Sequence, residues 1–143
     1  MAVDLDHTFT TEKSPDDMFT AICDLERVVP AVEGGSVLET LSSESVKAQI
    51  VLKMGAMSMK MAGTIELAER DDEARRAVMR VRAREAGGQG HANATVTFAL
   101  ADGGGTLQTN AQITGKAASM GEGVVSSVLD ALIRDFTTKL ANI

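Results

Sequence analysis

Polar and apolar residues alternate with a period of two over most of this chain, and the period lengthens to about four only toward its end. Val3, Leu5, His7 and Phe9 alternate with Asp4, Asp6, Thr8 and Thr10, which predicts a strand with one buried face. At Ser14-Pro15-Asp16-Asp17 a capping serine precedes a proline at the first helical position, with carboxylates where the helix dipole favours them. This predicts a short helix to about Cys23. A second helix, with Leu25, Val28 and Val29 as its apolar residues, ends near Pro30, and Gly34-Gly35 then turns the chain.

From Ser36 the pattern is again that of strands, first Ser36 to Leu41 and then Val46 to Met54, in which Val46, Ala48, Ile50, Leu52 and Met54 share a face. Gly55-Ala56 reads as a hairpin turn. The return strand turns Met57, Met59, Met61, Gly63, Ile65 and Leu67 inward. After Asp71-Asp72-Glu73, Ala77, Met79, Val81 and Ala83 oppose Arg76, Arg80, Arg82 and Arg84. Beyond the turn Gly87 to Gly90, Ala92, Ala94, Val96, Phe98 and Leu100 continue the inner face, which Leu107, Thr109, Ala111 and Ile113 complete. Past Gly115, Met120, Val124, Val128, Leu132, Phe136 and Leu140 recur about every four residues beside a second stripe at Val125, Leu129 and Ile133, which predicts one long amphipathic helix. The expected fold is α+β in a single domain over residues 1–143. A curved, roughly seven-stranded antiparallel sheet grips a long C-terminal helix, with two short helices after the first strand.

Composition changes this picture in one respect. The chain has no Trp or Tyr and only four Phe, but eight Met, so something other than aromatic bulk fills the space between sheet and helix. The inward positions are rich in Ala, Gly, Thr and Val, and a strongly curved sheet facing one helix encloses more volume than such side chains fill. An internal cavity is expected. Methionine is unbranched and polarizable, and Met54, Met57, Met59, Met61, Met79 and Met120 together would form adaptable walls around an apolar guest; each also suits a gap-filling place in the core. With Val96, Phe98, Thr109, Ile113, Val124 and Val128 they are the expected ligand contacts, and the Met54 to Met61 hairpin end is the expected mouth. Thr109 and His7 are the candidate partners for a polar head group.

Charge and the rarer residues remove several functions. The formal charge of −6 argues against binding nucleic acid or anionic lipid through bulk electrostatics, since both need a basic surface. One cysteine, Cys23, and two histidines leave no disulfide and no ligand set for a metal site. Nearly every Asp, Glu and Arg falls on the outward parity, so no catalytic residue is expected. No apolar run is long enough to span a bilayer. The N-terminal MAVDLDHTFTTEK has acids where a secretion signal needs bases, which points to the cytoplasm. The outer row Arg76, Arg80, Arg82 and Arg84 is either a solvated strand face or a docking surface for a partner.

The stretches KMGAMSMKMAGTIELAERD (53–71) and GTLQTNAQITGKAASMGEGVVSSVLDALIRDF (105–136) resemble the carbon monoxide dehydrogenase CoxG family, within the START and Bet v 1-like superfamily (SRPBCC). The likeness extends over nearly the whole chain and includes Asp24, Pro30, Lys53, Gly55, Gly63, Glu69, Gly105, Thr106, Gly115, Ala118, Gly121 and Phe136. The sequence departs from the family at Ala31, where glycine often follows the proline, and at Met120, where an aromatic is common. The resemblance implies a helix-grip fold and association with molybdenum-containing carbon monoxide dehydrogenase at the inner face of the cell membrane. Members often extend past the long helix into a flexible tail that touches the membrane, whereas this sequence runs to Ile143. Combined with the cavity, it makes a carrier of a hydrophobic small molecule the leading expectation, with a respiratory quinone, menaquinone above others, as the guest and no catalytic cofactor. The alternatives are a ligand-free recruitment or assembly factor and, less favoured, a cavity enzyme of the cyclase or hydrolase type.

Overall fold

The computed structural model describes residues Met1–Ile143. Seven antiparallel strands form one sheet in the order β1-β7-β6-β5-β4-β3-β2. They are β1 (Ala2–Thr10), β2 (Gly35–Ser42), β3 (Ser45–Met54), β4 (Met57–Asp71), β5 (Arg76–Glu85), β6 (His91–Ala101) and β7 (Gly104–Ile113). Between β1 and β2 lie α1 (Pro15–Ile22), α2 (Leu25–Val28) and a 3-10 turn, Val29–Ala31. The Ser14 hydroxyl accepts a hydrogen bond from the Asp17 backbone N–H at 3.2 Å, the cap expected of that serine and worth about 1 kcal/mol. The helix-grip fold is therefore present, with its short helices after the first strand.

The C-terminal region differs from expectation. It is two helices, α3 (Lys116–Ser119) and α4 (Glu122–Leu140), separated at Met120 and Gly121. Gly121 has φ +98°, which interrupts a helix and which side chains with a Cβ resist. The every-fourth-residue stripe marks the buried face only toward the end of the helix, at Phe136 and Leu140. Val124 is 43% exposed, whereas Val125, Ile133, Phe136 and Leu140 are buried. At 100° per residue a repeat of four drifts by about 40° each step, so Val124 and Phe136 stand roughly 120° apart around the helix.

α4 crosses the concave face of the sheet, seated against β1 at one edge and against the 3-10 turn at the other side. A helix resting on an edge strand leaves space over the strands between. The sheet curls so strongly that Met54, Met59 and Met61 reach Val3 on β1 and Ala111 and Ile113 on β7, forming one core cluster, while Phe98, Phe136, Leu107, Met18 and Ile22 anchor a larger one. Phe98 and Phe136 meet edge to face, with ring centroids 6.4 Å apart. No helix is long and apolar enough to cross a membrane.

Candidate functional site

Between the two core clusters lies a cavity of about 230 Å³. Its floor is the inner face of β3 to β7, with Ala48 and Ile50, Met61 and Ile65, Met79 and Val81, Val96 and Phe98, and Leu107 and Thr109 in turn. Its roof is α4, through Leu129, Leu132, Ile133 and Phe136, and its side wall is Val28, Val29 and Val32 around the 3-10 turn, with Gly35. Gln49, Thr64 and Arg82 also border it, at the outward parity of their strands. The lining contains no Asp, Glu, His, Cys, Lys or Tyr.

Thr109 is the one polar side chain on the inward parity of this wall. It is 7% exposed, and its Oγ1 has no hydrogen-bond partner. Leaving a buried hydroxyl unpaired costs on the order of 1–3 kcal/mol, a cost removed by any guest that offers it a polar atom. The position follows from the register, in which Thr109 faces Leu5 on one side and Val96 on the other.

Of the expected contacts, the structure brings Met61, Met79, Val96, Phe98 and Thr109 to the cavity and leaves the others away from it. Met54, Met59 and Ile113 are buried in the neighbouring cluster, with Met120 and Val128 packed on its rim. Met57 is half-buried beside the hairpin turn, and Val124 faces outward. The expectation of a cavity walled by six methionines is thus corrected: two methionines line it and the rest of the wall is aliphatic. Parity fixes the face of a strand but not the height along it. At about 3.3 Å per residue, Met54 lies roughly 13 Å beyond Ile50. Even so, Ile50, Met61 and Leu129 belong both to the cavity wall and to the methionine cluster, so the two are continuous.

His7 is not in the cavity. It is 8% exposed and its Nε2 lies 2.7 Å from Asp130 Oδ1, while Arg134 Nε donates to Asp130 Oδ2, also at 2.7 Å. This link ties β1 to α4 and so holds the roof in place. The Arg134 hydrogen bond, and after it that of His7, keeps the Asp130 carboxyl below the usual carboxylate range. A carboxyl with a lowered folded pKa adds stability above its unfolded value near 4 and loses it as pH falls through the folded one. Urea unfolding from pH 7 to pH 3 is therefore expected to show wild type more stable than Asp130→Asn at pH 7, with the difference shrinking below about pH 4. A difference that does not change with pH would contradict this role.

The expected contacts did not include Val28, Val29, Val32 and Gly35 of the side wall, any of the four roof residues Leu129, Leu132, Ile133 and Phe136, or the floor positions Ala48, Ile50, Ile65, Val81 and Leu107. A 3.6-residue period, applied strictly, would have chosen Leu129, Ile133 and Phe136. Nothing local signals that the 3-10 turn closes the side. No group of three His, Cys, Asp or Glu residues comes together as a metal site.

Residues 8–142 match the model of CoxG, a family named for a carbon monoxide dehydrogenase subunit. The chain belongs to the CoxG family. No curated protein matches it in sequence. In fold it is similar to a conserved protein from Geobacillus kaustophilus, with a TM-score of 0.77 at 18% identity over 99% of this chain and 93% of that one. It is also similar to the ZhuI aromatase/cyclase from a Streptomyces species (TM-score 0.58, 12% identity, 99% and 90% covered). Ginseng major latex-like protein 151 shares the fold as well (TM-score 0.58, 11% identity, 96% and 97% covered). At these identities the likeness is one of fold, which this CoxG protein shares with plant and bacterial proteins of the Bet v 1-like kind.

Proposed function

We propose that this CoxG-family chain is a non-catalytic carrier of an apolar guest, a respiratory quinone with menaquinone favoured, which it moves between the cell membrane and a molybdenum carbon monoxide dehydrogenase on the cytoplasmic side. The observation that carries this reading is the aliphatic cavity with a single unpartnered buried hydroxyl, Thr109. A quinone ring is flat and apolar with carbonyl acceptors at its edge, and Thr109 Oγ1 can donate to one of them.

The size of the cavity sharpens this. At about 230 Å³ it falls below the roughly 300–1,000 Å³ usual for ligand sites, so it suits a ring and the start of a tail, and a longer tail must leave through the continuous methionine cluster. From water, each buried methylene contributes about 0.8 kcal/mol. From a bilayer that gain nearly vanishes, since one apolar surrounding replaces another. The Thr109 hydrogen bond, of order 1 kcal/mol, and the shape of the ring site then decide extraction.

Family membership supports the dehydrogenase as partner, and a lining without a carboxyl, imidazole or thiol supports a carrier over an enzyme, although a structural neighbour is named as a cyclase. The recruitment reading keeps one favourable observation: of the outer row, Arg80 is paired with Glu66 at 3.3 Å, whereas Arg76, Arg82 and Arg84 have no ion pair.

Organic extraction of the purified protein followed by mass spectrometry is expected to release quinone at near one per chain. Thr109→Val, which keeps shape and removes the hydroxyl, is expected to weaken quinone uptake from liposomes about tenfold. Extracts holding only mixed lipid, with no quinone uptake from liposomes, would refute the carrier and leave recruitment through the arginine row.

A further inference from the structure

Of the fourteen Lys and Arg residues, Lys47, Arg70, Arg75, Arg80, Arg134 and Lys139 are in ion pairs. Among those in none, Lys53, Lys60, Arg84 and Lys116 are exposed and share one end of the molecule. Lys53 and Lys60 flank the β3–β4 turn, Arg84 stands opposite Ala62 on β5, and Lys116 opens α3, whose Ala117 is buried against the hairpin methionines. The acids nearest this end are Glu85, which closes β5, and Glu122, which opens α4, so cations outnumber them two to one. The opposite end gathers Asp16, Asp17, Asp71, Asp72, Glu73 and Asp102, which outnumber the neighbouring Arg70, Arg75 and Arg76; Arg70 pairs with Asp72 and Arg75 with Asp16. The net charge of −6 therefore conceals a basic end and an acidic end.

The basic end also presents apolar groups. Gly55 and Ala56 are exposed at the hairpin turn, Met57 is half-buried beside them, Met120 is half-buried against the methionine cluster, and Val51, 38% exposed, stands directly across from Lys60. Val124, 43% exposed, lies in the first turn of α4 on the same end. Bare apolar tips ringed by unpaired cations match the boundary of an anionic bilayer, where the tips enter the headgroup layer and the cations meet lipid phosphates. The acids of the far end do not oppose this. From Lys60 to Asp71 the chain climbs eleven residues of β4, roughly 35 Å, several times the screening length of about 8 Å at physiological salt.

We propose that the β3–β4 hairpin end, with α3 beside it, is a docking surface for an anionic phospholipid bilayer. The surface stands on charge and exposure alone. Its purpose rests on the carrier reading, because the methionine cluster behind this end is continuous with the cavity through Ile50, Met61 and Leu129, so docking sets the cavity's apolar route against the lipid.

The test is flotation of the intact chain, stripped of extractable lipid, with vesicles of phosphatidylglycerol or of phosphatidylcholine. Binding to the first only, reversed by about 0.5 M salt, is expected. Lys53→Glu with Lys60→Glu is expected to lower partitioning at least about 25-fold, taking about fivefold for each cation lost. Lys13→Glu with Lys47→Glu changes the net charge equally and is expected to leave partitioning within about threefold. Because the chain has no tryptophan, Ala56→Trp supplies a single reporter whose emission shifts to the blue on phosphatidylglycerol vesicles. No binding to either vesicle, equal binding to both, equal loss in the two charge variants, or capture by an acidic protein without vesicle binding would each overturn the proposal. Docking without quinone exchange would remove the carrier reading and leave the surface standing, while exchange without docking would do the reverse.

Discussion

Gly63→Ala is expected to lower the melting temperature by about 6–12 °C, the equivalent of about 3 kcal/mol for a chain of this length. Gly63 stands in the middle of β4, facing Ala83 across the ladder. A Cβ built on it would lie 1.8 Å from the carbonyl oxygen of Arg82 and 2.7 Å from the Cα of Ala83. Both obstacles are backbone, so no side chain can swing aside, and β4 and β5 must part for the methyl group to fit. β4 is the longest strand, fifteen residues, and a glycine at a close backbone approach lets such a strand bend. The curvature that carries the hairpin methionines over to β1 and β7 passes through this point, and the cavity depends on it.

A comparison within the molecule isolates the cause. Gly55, in the hairpin turn, has φ +66° and nothing within 4 Å of an added Cβ. Gly55→Ala therefore carries only the cost of the left-handed conformation, about 1–2 kcal/mol. Thermal unfolding followed by circular dichroism should rank Gly63→Ala well below Gly55→Ala and wild type. Equal melting temperatures for the two variants would show that β4 and β5 give way at no cost and that Gly63 does not set the bend.

Val96→Trp is expected to lower quinone uptake by at least about 100-fold while the protein stays folded. Val96 lies on the cavity floor beside Thr109, its register partner on β7. An indole at this position projects into empty space of about 230 Å³ and takes much of the volume that a ring would need. Overpacking a filled core costs about 1–3 kcal/mol. Filling a void instead adds contacts, so the melting temperature should fall little or rise. Blue-shifted emission from this single tryptophan would place the indole in the apolar interior. A folded variant with buried indole and undiminished uptake would exclude this cavity as the binding site. Loss of uptake in both Val96→Trp and Thr109→Val, by about 100-fold and about tenfold, would separate steric closure from the loss of one hydrogen bond.

The alternation of residues located the inner face of every long strand. Val46 and Ala48, Met79, Phe98, and Leu107 and Thr109 all point to the concave side, because the pleat sends successive side chains to opposite faces whatever the rest of the chain does. The Ser14 cap and the turn at Gly34 were legible for the same reason, being decided within a few residues. Gly121 marks the limit of this reasoning: it stood in a helical pattern, and only its positive φ reveals the break between α3 and α4.

The methionines divide the two kinds of information most clearly. Strand parity and helical period are local properties, so the order of residues alone was enough to put six methionines on inward or helix positions of a curved sheet that grips a helix. That only Met61 and Met79 line the cavity, while Met54 and Met59 close the hairpin end, was settled by the packing of distant segments. Height along a strand, the seat of α4 on β1 through His7 and Asp130, and the side wall built by Val28, Val29 and Val32 are relations of that kind. The unpartnered hydroxyl of Thr109 is another. Whether a buried oxygen finds a partner depends on what packs over it, and that is fixed only when the helix comes to rest above the sheet.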